Sequence, residues 1–424
     1  MLFCAATLPS GIKPSVPAAT FKDLALPFAS ASFEVRSAAS QDTSLPDMDS
    51  ARPIDIFHSL EDARVDWEEL ETVAAASPYQ TFAFVKAWFE TIGAATRASP
   101  FIVVVREGSR VESLFVFALR SYGPLVLAAF PGDRDSNFNL PLLRRPHAWT
   151  TPELYALLVH AARTSKRRID CFVLLNQPSA WNGQANPLVG ANAVASPSSA
   201  ARSELPLSMD LWRARRLSHS GRKRLAQAEK RLRCMGAVVH VLAISTAERA
   251  ELLSTLLTQK HTQAEAGGPP NAYASPHAFA FLQRLCEASD ERPALLELHA
   301  LTLDGRPIAA FGALSDRRRL CGLLLSRDTD TTIARCGPGR LLLHQVIASA
   351  IARGFESFDL GLGEARYKKE FCEVIEPMFD SFIPVTFRGR AAAILLRAAR
   401  KAKSRMKHSP RLMSWVTALR RRIV

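Results

Sequence analysis

Apolar positions along the chain fall into one order of elements, and that order occurs twice. Residues 66–76 and 82–92 carry apolar side chains at helical spacing, the second stretch with aromatics at 82, 84, 88 and 89. Three strand-length runs follow at 101–106, 112–119 and 125–130, with turns at Gly108 and at Tyr122-Gly123-Pro124. A helix is predicted over 152–165, with Thr151 as its cap and proline in its first turn. A strand at 170–175 closes the unit. Residues 182–206, mostly Asn, Ala, Ser, Pro and Gly, read as a linker.

The second half begins with a basic helix over 213–235 and a strand over 237–243. A helix over 246–265 ends at Gly267-Gly268-Pro269-Pro270, and Ser275-Pro276 opens another that runs to about 288. Strands at 294–303, 307–314 and 320–326 follow, the first two joined by the hairpin signal Asp304-Gly305. A helix over 338–353 is stopped by Gly354, and a buried strand starts at 358. Each half therefore reads helix, helix, three-strand meander, helix, strand. The fold class is α/β (α+β), and two copies of one unit account for it with fewest assumptions.

At 424 residues with 48% hydrophobic and 22% charged positions, the chain has material for more than one core. No apolar run approaches the roughly 18–20 residues of a membrane span. The seven cysteines form no C-x-x-C pair, so neither a disulfide framework nor a zinc site is expected. Net charge is +14, but 12 Lys/Arg and no acid lie from Arg388 onward, so the body carries 42 basic and 40 acidic residues, a balance of +2. Residues 1–50 read as disordered and show no secretory signal, which places the protein in the cytoplasm. The expected domains are 51–205 with its linker, 206–388, and a basic amphipathic helical tail at 389–424. In that tail Ala391, Leu395, Ala398 and Ala402 make one stripe. Leu412, Trp415, Val416, Leu419 and Ile423 make a stronger one, and the expectation is contact with an anionic membrane surface, peripheral to its inner face.

The most specific stretch is 357–371, S-F-D-L-G-L-G-E-A-R-Y-K-K-E-F. It resembles the signature of the CelD-like (BioF2-like) acetyltransferase family of the GNAT superfamily, at Asp359, Gly361, Gly363, Glu364, Tyr367, Lys368 and Phe371. Leu360 replaces the commoner aromatic. Arg335-Cys336-Gly337-Pro338-Gly339-Arg340 resembles the family's loop before the cofactor helix, although Pro338 and Arg340 stand where the superfamily spacing has its glycines. Gln259-Lys260-His261, the aromatic helix with Trp88, and Ser136-Asn137-Phe138 also resemble family segments, with Asn137 in place of an acid. The resemblance covers about residues 55–388. It implies two tandem GNAT-like domains, each a mixed, mostly antiparallel sheet flanked by helices, as in the FemAB aminoacyl ligases. It further implies transfer of an acyl group from acetyl-CoA or another acyl-CoA to an amine or hydroxyl of a small molecule or sugar, in exopolysaccharide or cellulose metabolism.

Under that reading Arg335, Gly337, Pro338, Gly339 and Arg340 hold the cofactor's pyrophosphate, where backbone N–H groups and the helix dipole favour anions. Glu364 is the base, Tyr367 protonates the departing thiolate, and Lys368 stabilises charge or holds an anionic substrate, with Asp359 beside them. His261 is a candidate for the acceptor pocket, and residues 267–274 for a lid. On the catalytic reading Lys368→Ala lowers turnover more than stability, which changes within about ±0.5 kcal/mol for a surface lysine; the bland alternative makes Asp359 a turn cap, Tyr367 core and Lys368 a solvated residue. The basic helix over 213–233 offers a groove for an anionic partner or merely a solvated face; without interleaved aromatics it does not suggest nucleic acid. Two further functional readings stand beside the first: a FemAB-like aminoacyl transferase using charged tRNA, and a non-catalytic accessory protein of a polysaccharide synthesis complex.

Overall fold

The computed structural model describes residues 53–132, 135–287 and 293–408. The first half runs β1 (Ile54–Phe57), α1 (Arg64–Glu71), α2 (Phe82–Trp88), β2 (Ser99–Glu107), β3 (Arg110–Tyr122), β4 (Leu125–Ala129), α3 (Thr151–Thr164) and β5 (Cys171–Pro178). The second continues with β6 (Ala200–Glu204), α4 (Met209–Arg216), α5 (His219–Arg233), β7 (Val238–Leu242), α6 (Thr246–Glu265), α7 (Pro276–Cys286), β8 (Glu297–Leu303), β9 (Arg306–Ser315) and β10 (Arg319–Arg327). Then come α8 (Thr331–Ala334), α9 (Pro338–Ala352), β11 (Ser357–Leu362), α10 (Lys368–Phe371), β12 (Val374–Glu376), β13 (Met378–Pro384) and α11 (Phe387–His408).

The expected duplication is present. Both halves build an antiparallel run of four strands, β1-β2-β3-β4 and β7-β8-β9-β10, followed by one parallel pairing, β4 with β5 and β10 with β11. The crossover helix between the parallel partners is α3 in one half and α9 in the other. Each sheet is mixed and mostly antiparallel. Helices α2 and α7 meet between the halves, where Phe84 sits edge-on to Phe281 at 5.3 Å. One hydrophobic core contains Trp67, Trp88, Leu256, Phe281 and Leu298, so the halves share their interior.

The sheets do not divide at residue 205/206. Strand β6, inside the segment read as a linker, lies between β11 and β12 in the second sheet. Strand β13, from the second half, pairs antiparallel with β5 in the first. Neither announces itself by alternation: β6 is A-A-R-S-E, and β13 carries Asp380 and Ser381, both fully buried, at its centre.

The basic helix expected over 213–235 is two helices. Leu217 turns extended, and the Ser218 side chain accepts from Gly221 N–H as the cap of α5. The cap of α3 is Thr150 rather than Thr151, in a reciprocal box with Glu153. Residues 1–50, read as disordered, and the tail beyond 408 lie outside the described residues.

Candidate active site

Strands β10 and β11 pair over only three residues, 319–321 against 357–359, and then separate. The cause lies on β10. Its register against β9 shifts between Gly312 and Ala313, whose partners are Leu324 and Gly322, so Leu323 is an extra residue and the strand bends there. Asp328 N–H donates to Ile308 O on β9. By strand alternation the N–H and C=O groups of Arg327 and Leu325 then face the opposite way, into the gap. Two α6 side chains reach that edge: Lys260 Nζ lies 3.3 Å from Leu325 O and Gln263 Nε2 lies 2.6 Å from Arg327 O.

At the apex of the gap stands Asn137, carried in from the first half. Its amide donates to Tyr79 Oη at 2.8 Å and Gly322 O at 3.3 Å, and its carbonyl accepts from Leu362 N–H at 3.3 Å. It thus spans β10 and β11 where they no longer pair. The same loop fills the corresponding gap of the first half, where Asn139 Nδ2 donates to Leu175 O at 3.0 Å.

The residues expected to do chemistry lie at the far end of β11, and the structure separates them. Asp359 is fully buried, accepts from Gly361 N–H at 2.7 Å, and pairs with Arg319 Nε at 2.8 Å. Burial raises its carboxyl above the ordinary range, against the pull of Arg319. It caps the turn and anchors a network, and every oxygen is occupied. Arg319 also binds Glu376, at 2.6 Å, and lies over the rings of Phe138 and Trp181 at 4.6 and 4.5 Å.

Lys368 is not a surface residue. It is 7% exposed, and its Nζ donates to Gly361 O at 3.1 Å and Leu362 O at 2.8 Å. Burial pulls its ammonium down to about 8. Tyr367 is half exposed rather than core, and its surroundings push the phenol up to about 12. Glu364 is open to solvent and lies 3.6 Å from Lys407 Nζ on α11.

The loop before α9 has the geometry of an anion cradle. Gly337 caps the helix in the left-handed region (φ +64°) with no side chain over its end, and Pro338 follows at the first helical position. Gly339 is buried, and a Cβ there would be in ordinary contact with Arg327 Cβ and Leu325 Cδ1 at 3.9 Å, so the turn packs beside the end of β10. Helix α3 of the first half offers no such end, because Thr150 and Glu153 cap it. Arg340 is engaged with Glu370 at 2.5 Å. Arg335 is exposed and borders a cavity of about 600 Å³ with Lys230 and Arg231 of α5. An acyl-CoA fits these residues: a strand edge for its amides, where Lys260 and Gln263 now hold the two carbonyls, a glycine turn for its phosphates, basic side chains beyond.

His261 does not join this arrangement. It is solvent-exposed and pairs with Glu265 at 3.3 Å. A single residue is about 100° of rotation on a helix, and it is Lys260 that turns to the gap. The residues 267–274 read as a lid are held by Tyr273, which is buried in the shared core. Among the described residues no group of three or more side chains is arranged to hold a metal, and the six described cysteines are free.

Residues 219–369 match the family model of the acetyltransferase (GNAT) domain. No curated protein matches the chain. Among solved structures, that of FemX is similar at 10% identity and TM-score 0.54, covering 81% of this chain and 100% of that one. A conserved protein of unknown function from Bacteroides thetaiotaomicron VPI-5482 is similar at 10% identity and TM-score 0.50, over 78% of this chain and 99% of that one. At these identities the likeness is one of fold.

Proposed function

We propose that the protein is an acyl-CoA-dependent acyltransferase whose donor site lies in the second half. The observation that carries this reading is the opened gap between β10 and β11 leading to the glycine turn at Gly337–Gly339. Bound acyl-CoA supplies the activated thioester. The β10 edge at Leu325 and Arg327 offers hydrogen bonds along the gap, and the start of α9, with Arg335, Lys230 and Arg231 beyond it, offers positive charge to the phosphates.

Glu364, exposed beside Lys407, takes the proton from an acceptor amine or hydroxyl as the acyl carbon leaves sulfur and bonds to that nitrogen or oxygen. Tyr367, a phenol and so protonated at neutral pH, returns a proton to the sulfur. Lys368 fixes the end of β11, from which the segment carrying both leads off, a positioning role. The acceptor is a small molecule or sugar, and the link to exopolysaccharide or cellulose metabolism rests on the resemblance of 357–371.

Calorimetry with acetyl-CoA tests the reading. Binding at about micromolar Kd that weakens at least tenfold in Gly339→Asp supports it, since a carboxylate at a helix start repels a phosphate there. Binding of aminoacyl-tRNA alone supports the aminoacyl-transferase alternative, and binding of neither supports an accessory role.

A further inference from the structure

Helix α11 has two unlike faces. Ala393 and Leu396 are buried with Cys171, Val173 and Phe382 of the first sheet, and Ala392 is buried too. On the same side Arg400 pairs with Asp380 at 2.6 Å and Lys407 donates to Ser198 at 3.1 Å. Its first turn lies so close to the sheet that a Cβ on Gly389 would be 1.7 Å from Asp170 O. These contacts fix the helix in one rotation.

The other face is apolar and open. Phe387 is 86%, Ile394 67% and Leu395 58% exposed, and Ala391 and Ala398 are exposed between them. At about 100° per residue these five make one stripe. It differs from the stripe expected from sequence by gaining Phe387 and Ile394 and losing Ala402, which is half-buried. Arg390 and Lys401 border it on one side and Arg388 on the other. None of the three ion-pairs with a carboxylate among the described residues, and α11 contains no Asp or Glu along its 22 residues.

We infer that this face docks on an anionic lipid bilayer. An apolar stripe flanked by basic residues on a helix held parallel to the protein surface is the pattern of an interfacial helix. The charge is of one sign throughout, which selects an anionic surface over a neutral one. The chain continues for 16 residues beyond His408, again with basic and apolar residues and no acid, so the same chemistry extends from the end of the helix. The inference is independent of the acyl-CoA reading.

Co-flotation of the full-length protein with vesicles tests it. Vesicles of phosphatidylcholine with about a third phosphatidylglycerol should carry the protein up at low salt, and pure phosphatidylcholine should not. Ile394→Glu with Leu395→Glu should reduce binding at least about tenfold, with circular dichroism and melting temperature unchanged. Arg390→Gln with Lys401→Gln should reduce it roughly fivefold per residue, and this variant also serves if the first misfolds. No co-flotation overturns the inference. So does undiminished binding in both variants, which would assign it to residues 409–424. A concentration-dependent dimer that the Ile394/Leu395 variant abolishes would show instead that the face is covered by a second copy.

Discussion

Replacing Arg319 by Met should create a pH-dependent defect whose size follows from the burial of one carboxylate. Arg319 is the cation facing Asp359, which is 0% exposed and keeps only the neutral Gly361 N–H and Cys321 thiol as partners once the guanidinium is gone. A buried carboxylate without its partner protonates instead of folding charged. With an unfolded pKa of about 3.9, folding with Asp359 neutral at pH 7 costs about 1.36 × (7.0 − 3.9), or about 4 kcal/mol. In the variant the folded pKa is raised above the unfolded one, so the penalty grows with pH and shrinks as pH falls. At pH 5 the same product leaves about 1.5 kcal/mol. Loss of the two ring contacts adds roughly 1 kcal/mol at every pH, part of it restored by methionine's bulk. The assay is urea unfolding of wild type and variant at several pH values, followed by tryptophan fluorescence. Arg319→Met combined with Asp359→Asn should abolish the pH dependence of the difference. A defect under about 1 kcal/mol at pH 7, or one that does not change between pH 7 and 5, would refute the assignment of Asp359 as a buried ionised anchor.

Lys368→Ala should cost about 2–3 kcal/mol of stability, measured by denaturation, because it leaves Gly361 O and Leu362 O without their donor; Lys368→Arg, too large for the site, should not restore it. Gly361→Ala should lower stability by about 2 kcal/mol or more, since its φ is +68° and a Cβ would stand 2.5 Å from Asn137 Nδ2; adding Asn137→Gly should relieve that contact but neither the 3.0 Å approach to Gly322 O nor the roughly 1 kcal/mol of backbone strain. His240 is stacked on His299, which contacts Glu297, and burial draws its pKa down to about 4. Its folded pKa is below the unfolded 6.5, so the folded state binds fewer protons and stability falls as pH drops from 6.5 toward 4. After discounting for partial exposure the loss is about 2 kcal/mol, and His240→Gln should flatten that part of the wild-type curve of melting temperature against pH.

The meanders, the crossover helices and the duplication were legible because their apolar runs and turn residues act locally: Asp304-Gly305 does form the hairpin between β8 and β9. What escaped depends on distant partners. Strand β6 is polar and short, and becomes a strand by insertion between β11 and β12. The segment 357–371 stands out in the sequence, yet the burial of Lys368 and Asp359 arises from Arg319 and a strand-end turn that no spacing reveals. The same holds for Asn137, whose partners lie 58, 185 and 225 positions away. Lys260 was hidden by its neighbour His261, the residue type that draws attention first.

The exchange of strands between halves also sets an order of events during synthesis. Strand β5 ends at Pro178 and its partner β13 begins at Met378, about 200 residues later, or roughly 10–40 s at ordinary rates of translation. For that interval the first sheet waits with an unpaired edge, uncovered by α11. Segment 219–369, expressed alone, would lack β6, so β11 would stay without its antiparallel neighbour. The nascent chain therefore has no stopping point at which half of it is finished. The strand that seals the first sheet is made only after every strand of the second.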